Sequence, residues 1–186
     1  DRDVAGVQTC ALPILVGLYG QSTNRTVWNR NWNSKQVFIE DGAQHWLSDN
    51  SKRFCNTAIS FDPTKNLANY GNGGAVITAV RELMEFARNY INNGKRGGHG
   101  EIGTNSRMSE VDCAQMLVKA QHIDAWQARR RLIAGHWIER LSRKQGITCL
   151  IDDSNRDDHC FHKFVIEVDN RDAVAKNLNL RGVKTK

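Results

Sequence analysis

Thr57-Ala58-Ile59-Ser60-Phe61-Asp62-Pro63-Thr64-Lys65 reads as a short buried strand that stops abruptly. Apolar and β-branched residues suit a strand from 57 to 61. Asp62-Pro63-Thr64 breaks it, because proline has no amide hydrogen for a central ladder. Upstream, Gln36-Val37-Phe38-Ile39 is a second run, closed by the acidic pair Glu40-Asp41, and Leu15 to Tyr19 is another, ending at Gly20. Downstream, Gly73-Gly74-Ala75-Val76-Ile77-Thr78 gives a further strand and Val80 to Ile91 a helix. Thr26 to Lys35, with Val27, Trp28 and Trp32, is a weaker helix candidate. Strands alternating with helical patterns predict an α/β domain with a mainly parallel sheet.

Gly94 to Asn105 is polar and glycine-rich, a loop around Gly97-Gly98-His99-Gly100. Ser109 with Asp112 three residues on is a helix-start signal. Val111, Met116, Ala120, Ile123, Trp126, Ile133, Trp137 and Leu141 approximate one apolar stripe, so a single helix of roughly 50 Å is expected, with its tryptophans in the core. Ile147 to Ile151 and His162 to Val168 read as strands, and Arg171 to Leu180 as a helix. The expected organisation is part of a large domain over 15–108, a long connecting helix over 109–145, and a partial α+β small domain over 146–186. Residues 1–14 resemble a translated sequencing-adapter segment and are set aside as non-native. Without an initiator methionine, and stopping just after Val183, the chain reads as truncated at both ends.

With 40% hydrophobic and 25% charged residues, the balance is that of a globular protein and not of a disordered one. No apolar run approaches the ~20 residues that cross a bilayer, and a cytoplasmic protein is expected. Five cysteines at irregular spacing, without a CxxC pair, argue against a disulfide framework or a zinc site. His159-Cys160-Phe161-His162 reads as strand alternation, with His162 and Phe161 on opposite faces, in preference to a metal cluster. The net charge of +6 raises a nucleic-acid reading. Arg129-Arg130-Arg131 fan out about 100° apart around a helix, however, which suits a solvated face better than a polyanion stripe.

Two placements carry chemistry. Asp41 ends one apolar strand, and Ser60 to Lys65 leave another. Ligands in parallel α/β sheets sit beyond the carboxyl ends of strands. A carboxylate, a hydroxyl and an amine there suit a ligand with a basic ring nitrogen, a phosphate and an aldehyde. Taken singly, Lys65 reads as a surface charge and Asp41 as a turn residue or helix cap.

The segments Phe38-Ile39-Glu40-Asp41-Gly42-Ala43-Gln44 and Ser60-Phe61-Asp62-Pro63-Thr64-Lys65-Asn66-Leu67 resemble signature segments of the DegT/DnrJ/StrS-type sugar aminotransferases. So do Tyr70-Gly71-Asn72-Gly73-Gly74-Ala75-Val76-Ile77-Thr78, Gly103-Thr104-Asn105-Ser106-Arg107-Met108-Ser109-Glu110 and the stretch from His122 to Arg130. The resemblance runs in order from Leu15 to Lys186. It implies an incomplete fold-type-I transferase that depends on pyridoxal 5'-phosphate. By that resemblance Lys65 is the Schiff-base lysine, whose amine attacks the aldehyde when unprotonated and later moves a proton. Asp41 faces the pyridine nitrogen, Ser60 holds the phosphate, and Gln44 lies close to the ring near its phenolic oxygen. Asn105 reaches the phosphate of a neighbouring subunit, which implies a homodimer with shared sites. His162 falls where the family has a small-domain histidine, its role open between structure and substrate contact.

The implied reaction moves an amino group from an amino acid, glutamate by expectation, to a nucleotide-linked keto-sugar. A truncated chain is expected to be inactive by itself. His45-Trp46-Leu47 departs from the small residues expected after Gln44. Two alternatives stand beside this reading. One is a sugar dehydratase of the same fold, against which Lys65 speaks because a histidine typically replaces that lysine. The other is a non-catalytic basic binding or regulatory domain.

Overall fold

The computed structural model describes residues 14–22, 38–48, 56–95, 101–151, 156 and 158–185. Four strands, β1 (Ile14–Val16), β2 (Ile39–Asp41), β3 (Asn56–Ser60) and β4 (Gly74–Thr78), lie side by side in chain order. The first three run parallel, and β4 is an antiparallel edge against β3. The mainly parallel α/β sheet is therefore as expected. The helix candidate at 26–35 lies outside the described residues. β1 starts at Ile14, which pairs with Ile39, so the segment set aside as non-native reaches one residue into the sheet.

Alternation along the strands divides the sheet into two unlike faces. Leu15, Glu40, Thr57 and Ile59 point to one face and are all buried. Charge within that layer is matched locally: the Thr57 hydroxyl donates to Glu40 Oε2 at 2.9 Å, and His45 Nε2 lies 3.5 Å from Glu40 Oε1. Val16, Asp41, Ala58 and Val76 are register partners across the other face, where Val16 and Val76 are exposed.

After β4 comes α1 (Arg81–Tyr90), closed by a turn over 91–95; residues 101–109, bridged back to it through Asn92 and Asn105, lead into α2 (Glu110–Ala120). Ser109 caps α2 as its sequence signal predicts. Its Oγ accepts from Asp112 N at 3.1 Å and its hydroxyl donates to Asp112 Oδ2 at 2.7 Å. Such a cap contributes about 1 kcal/mol.

The long helix is not continuous. α2 ends at Ala120, and α3 spans Ile123–Leu141. At the joint, Gln121 N and His122 N bond to the carbonyls of Val118 and Lys119, three residues back, at 3.3 and 3.0 Å. His122 has φ −104° and ψ −4°, at the edge of the right-handed helical region. Neither proline nor glycine marks this break.

The expected apolar stripe is also corrected. On α3 the buried positions are Gln127, Ala134 and Ile138, whereas Trp126, Ile133 and Trp137 are exposed. Trp126 stacks on His122, and Trp137 packs edge-on against Phe164. A polar Gln127 is tolerated at the contact because both ends of its amide are hydrogen-bonded there, which offsets the cost of burial.

Beyond Gly146 (φ +74°), β5 (Ile147–Cys149) and β6 (Ile166–Val168) form an antiparallel pair, followed by α4 (Arg171–Leu180). The strand expected from His162 begins only at Ile166. Residues 158–163 form an irregular segment, with Phe161 at φ +46°, so the alternation read from His159 to His162 does not hold. That segment docks on the turn that follows β1. Gln21 and His159 form an isolated bridge, Cys160 N donates to Gly20 O at 2.9 Å, and Lys163 N donates to Tyr19 O at 3.0 Å.

Candidate active site

Asp41 and Ser60 both stand at the carboxyl edge of the parallel strands. Asp41 pairs with Ala58, and Ser60 lies two residues beyond Ala58, so the carboxylate and the hydroxyl rise from one face. Gly42 follows, with its N–H donating to Ala58 O at 2.8 Å. A Cβ there would sit 2.7 Å from Thr57 Cγ2, so only glycine lets β2 leave the sheet this closely against β3. Asp41 Oδ1 accepts from Ala43 N at 3.0 Å, and among the described residues no donor reaches Oδ2. Ser60 Oγ accepts from Asp62 N at 3.2 Å, which leaves its hydroxyl hydrogen available to an anion.

Lys65 sits on the turn that follows β3. Its N–H donates to Asp62 O at 2.9 Å, and Asp62 in turn accepts from Thr64 through both N–H and hydroxyl. Those two bonds from Thr64, aided by the charges of Lys65 and His162, hold the Asp62 carboxyl below its ordinary value against a small opposing effect of burial. Gln44 reaches the same edge from the β2 loop. Its Oε1 accepts from Tyr19 N at 2.7 Å, and its backbone oxygen accepts the Cys160 thiol hydrogen at 3.0 Å. Burial pushes the Cys160 thiol up to about 11, so it remains a protonated donor.

His162 belongs to the same neighbourhood, with Nδ1 3.4 Å from Asn66 Oδ1. Burial, then the charges of Lys65, Lys163 and Arg130, lower its pKa to about 4, against the opposing pull of Asp62. Buried His159 is lowered to about 4 by desolvation alone. Asn105 stands apart from these groups: it is exposed, bridged to Asn92 in the stretch before α2.

Both lowered histidines stay neutral in the folded chain while the unfolded chain takes up protons below about 6.5. The unfolded state thus binds more protons between pH 6.5 and 4, and stability falls as pH drops through that window. The urea midpoint should decline from pH 7 to pH 4.5, and His159→Gln should flatten the decline.

Sequence reasoning missed Asn66 and Gln127, which tie the Lys65 turn to residues 160–162. Asn66 Nδ2 donates to Gln127 Oε1 and to Cys160 O, and Gln127 Nε2 donates to the same carbonyl. A polar residue inside an otherwise half-apolar helix was the available signal.

Residues 9–186 match the sequence profile of the DegT/DnrJ/EryC1/StrS aminotransferase family. The EryC1 protein of erythromycin biosynthesis from Saccharopolyspora erythraea is 40% identical over 131 residues, which cover 69% of this chain and 35% of that protein. A UDP-2-acetamido-2-deoxy-3-oxo-D-glucuronate aminotransferase of Pseudomonas aeruginosa is 34% identical, over 92% of this chain and 50% of its own length. Among solved structures, DesV of S. venezuelae superimposes with a TM-score of 0.80 at 31% identity, covering 91% of this chain and 47% of that one. A Bacillus subtilis protein solved with bound cofactor PMP gives 0.78 at 28% identity, over 93% and 42%. The chain spans between about a third and a half of the length of the curated relatives it matches. With the profile match running through all the strands and helices described above, the chain belongs to the DegT/DnrJ/EryC1/StrS aminotransferase family.

Proposed function

We propose that the protein containing this chain is a cytoplasmic, homodimeric aminotransferase that uses pyridoxal 5'-phosphate to move an amino group from an amino acid, glutamate, to a keto-sugar on a nucleoside diphosphate. The observation that carries this reading is the placement of Asp41 and Ser60 on one face of one sheet edge, with Lys65 on the next turn. Relatives named as nucleotide-sugar transaminases support the substrate class.

The donor set fits the cofactor: one carboxylate oxygen with no described donor, one hydroxyl hydrogen, and one primary amine. When bound, the cofactor supplies an electron sink for the carbon that loses a proton. Lys65 is the covalent attachment point and, once freed, the base that shuttles that proton. Asp41 holds the ring nitrogen protonated, Ser60 donates to the phosphate, and Gln44 lies at the ring's oxygen edge. Asn105 serves the phosphate of the second subunit, a role consistent with its exposure beside the exposed Ile102 and Val111. Lys65 disfavours dehydration as the reaction.

Incubation with pyridoxal phosphate followed by borohydride should leave the cofactor's mass on the peptide holding Lys65. Attachment at another lysine, or none at all, argues against the proposal. Asp41→Asn keeps the shape and removes the charge that strengthens the bond to the ring nitrogen. Losing about 1.5–3 kcal/mol there should slow turnover about 10–100-fold. Steady-state rates at saturating amino donor check this.

A further inference from the structure

The carbonyl oxygen of Cys160 accepts from two side-chain amides, Asn66 Nδ2 at 2.8 Å and Gln127 Nε2 at 3.1 Å. A carbonyl can only accept, so both amides are obliged to turn their NH2 groups toward it. The second hydrogen of Asn66 Nδ2 goes to Gln127 Oε1 at 2.9 Å. With its nitrogen so committed, Asn66 presents Oδ1 to His162 Nδ1, 3.4 Å away. That oxygen has no hydrogen to give, so the favourable partner is an N–H.

We infer that Asn66, itself oriented by Gln127 and the Cys160 carbonyl, is a positioning residue that keeps the His162 proton on Nδ1 and leaves Nε2 as a hydrogen-bond acceptor in the Lys65 neighbourhood. Nearby His159 is held in the opposite form, because its Nδ1 accepts from Phe161 N at 3.0 Å and the proton is left to Nε2. Burial and the charges of Lys65, Lys163 and Arg130 outweigh the opposing charge of Asp62 and keep the ring neutral at pH 7. A neutral acceptor at that position suits a ligand that offers O–H or N–H, such as a sugar hydroxyl. That last use rests on the function proposed above; the location of the proton does not.

The test is a two-bond ¹H–¹⁵N correlation spectrum of the ¹⁵N-labelled chain at pH 7, with His162→Gln and His159→Gln for assignment. The expected result is a proton on Nδ1 of His162 and on Nε2 of His159, two opposite patterns in one sample. Asn66→Ala should reduce the Nδ1 preference of His162 by about fivefold, the bias a hydrogen bond of ordinary strength supplies, while the His159 pattern persists. Asn66→Asp loses the hydrogens that Cys160 O and Gln127 Oε1 accept. Either carboxylate oxygen can turn to His162, however, so the variant should retain the Nδ1 proton and raise the imidazole pKa from about 4. A wild-type His162 protonated on Nε2 overturns the inference, as does an unchanged preference in Asn66→Ala. Should Asn66→Ala also erase the His159 pattern, the segment has unfolded and the wild-type and Asn66→Asp spectra decide. No cofactor or substrate is needed, so a failure here leaves the Lys65 labelling result intact, and the reverse.

Discussion

Replacing Lys65 with alanine in the whole protein that contains this chain is expected to reduce transamination by at least about 10²–10⁴-fold, the range attributed to a positioned proton-transfer group. The same change removes the attachment point, so the borohydride-fixed mass should vanish. Stability should hardly move. Lys65 is only half-buried, and the interaction that fixes its turn is the bond from its backbone N–H to Asp62 O, which alanine retains. A falling rate with an unchanged urea midpoint would separate chemistry from folding. Partial rescue by a small primary amine would place the missing function on the side-chain amine itself. Full activity in Lys65→Ala would remove the basis of the proposed reaction.

Gly20→Ala is the second large effect, and it acts on stability. Gly20 has φ +117°, a conformation that side-chain-bearing residues rarely adopt. An added Cβ would stand 2.8 Å from both His162 N and Phe161 N and 3.1 Å from Cys160 Sγ. Two of those three neighbours are backbone atoms, which cannot step aside by changing rotamer. Backbone strain and overpacking each cost about 1–3 kcal/mol, so a loss of about 2–5 kcal/mol is expected in urea unfolding. Gly71→Ala provides the comparison, since its Cβ would meet nothing within 4 Å and should leave the midpoint unchanged.

The strands of the sheet were legible in the sequence because they are brief apolar runs ended by breakers, and β3 ends at Ser60, just before Asp62-Pro63. The antiparallel edge was not legible: Gly74 to Thr78 has the same composition whichever way it pairs. The helix joint at Gln121-His122 escaped for a related reason. Nothing there forbids helix, and the interruption is made by two tightened hydrogen bonds that leave no trace in residue type. The irregular segment at 158–163 was mistaken for strand because its alternation mimics one, whereas its course is fixed by contacts with residues 19–21, 44, 66 and 127. The candidate residues Asp41, Gln44, Ser60, Lys65 and Asn105 came from several segments that resemble the family, and Asp41 and Ser60 stand on one face of one sheet edge. Asn66 and Gln127 were not singled out, since a buried amide is recognised by its partners and not by its letter.

The docking of residues 159–163 also sets an order of events during synthesis. Tyr19, Gly20, Gln44, Asn66 and Gln127 all emerge from the ribosome before Cys160 and His162 exist. The contacts that unite them close loops of 94 residues between Asn66 and Cys160 and of 116 between Gln44 and Cys160. Long closures cost little in final stability, growing only with the logarithm of loop length, but they slow the search for the native pairing. The contacts around Lys65 are therefore expected to close after the strands beneath them have paired.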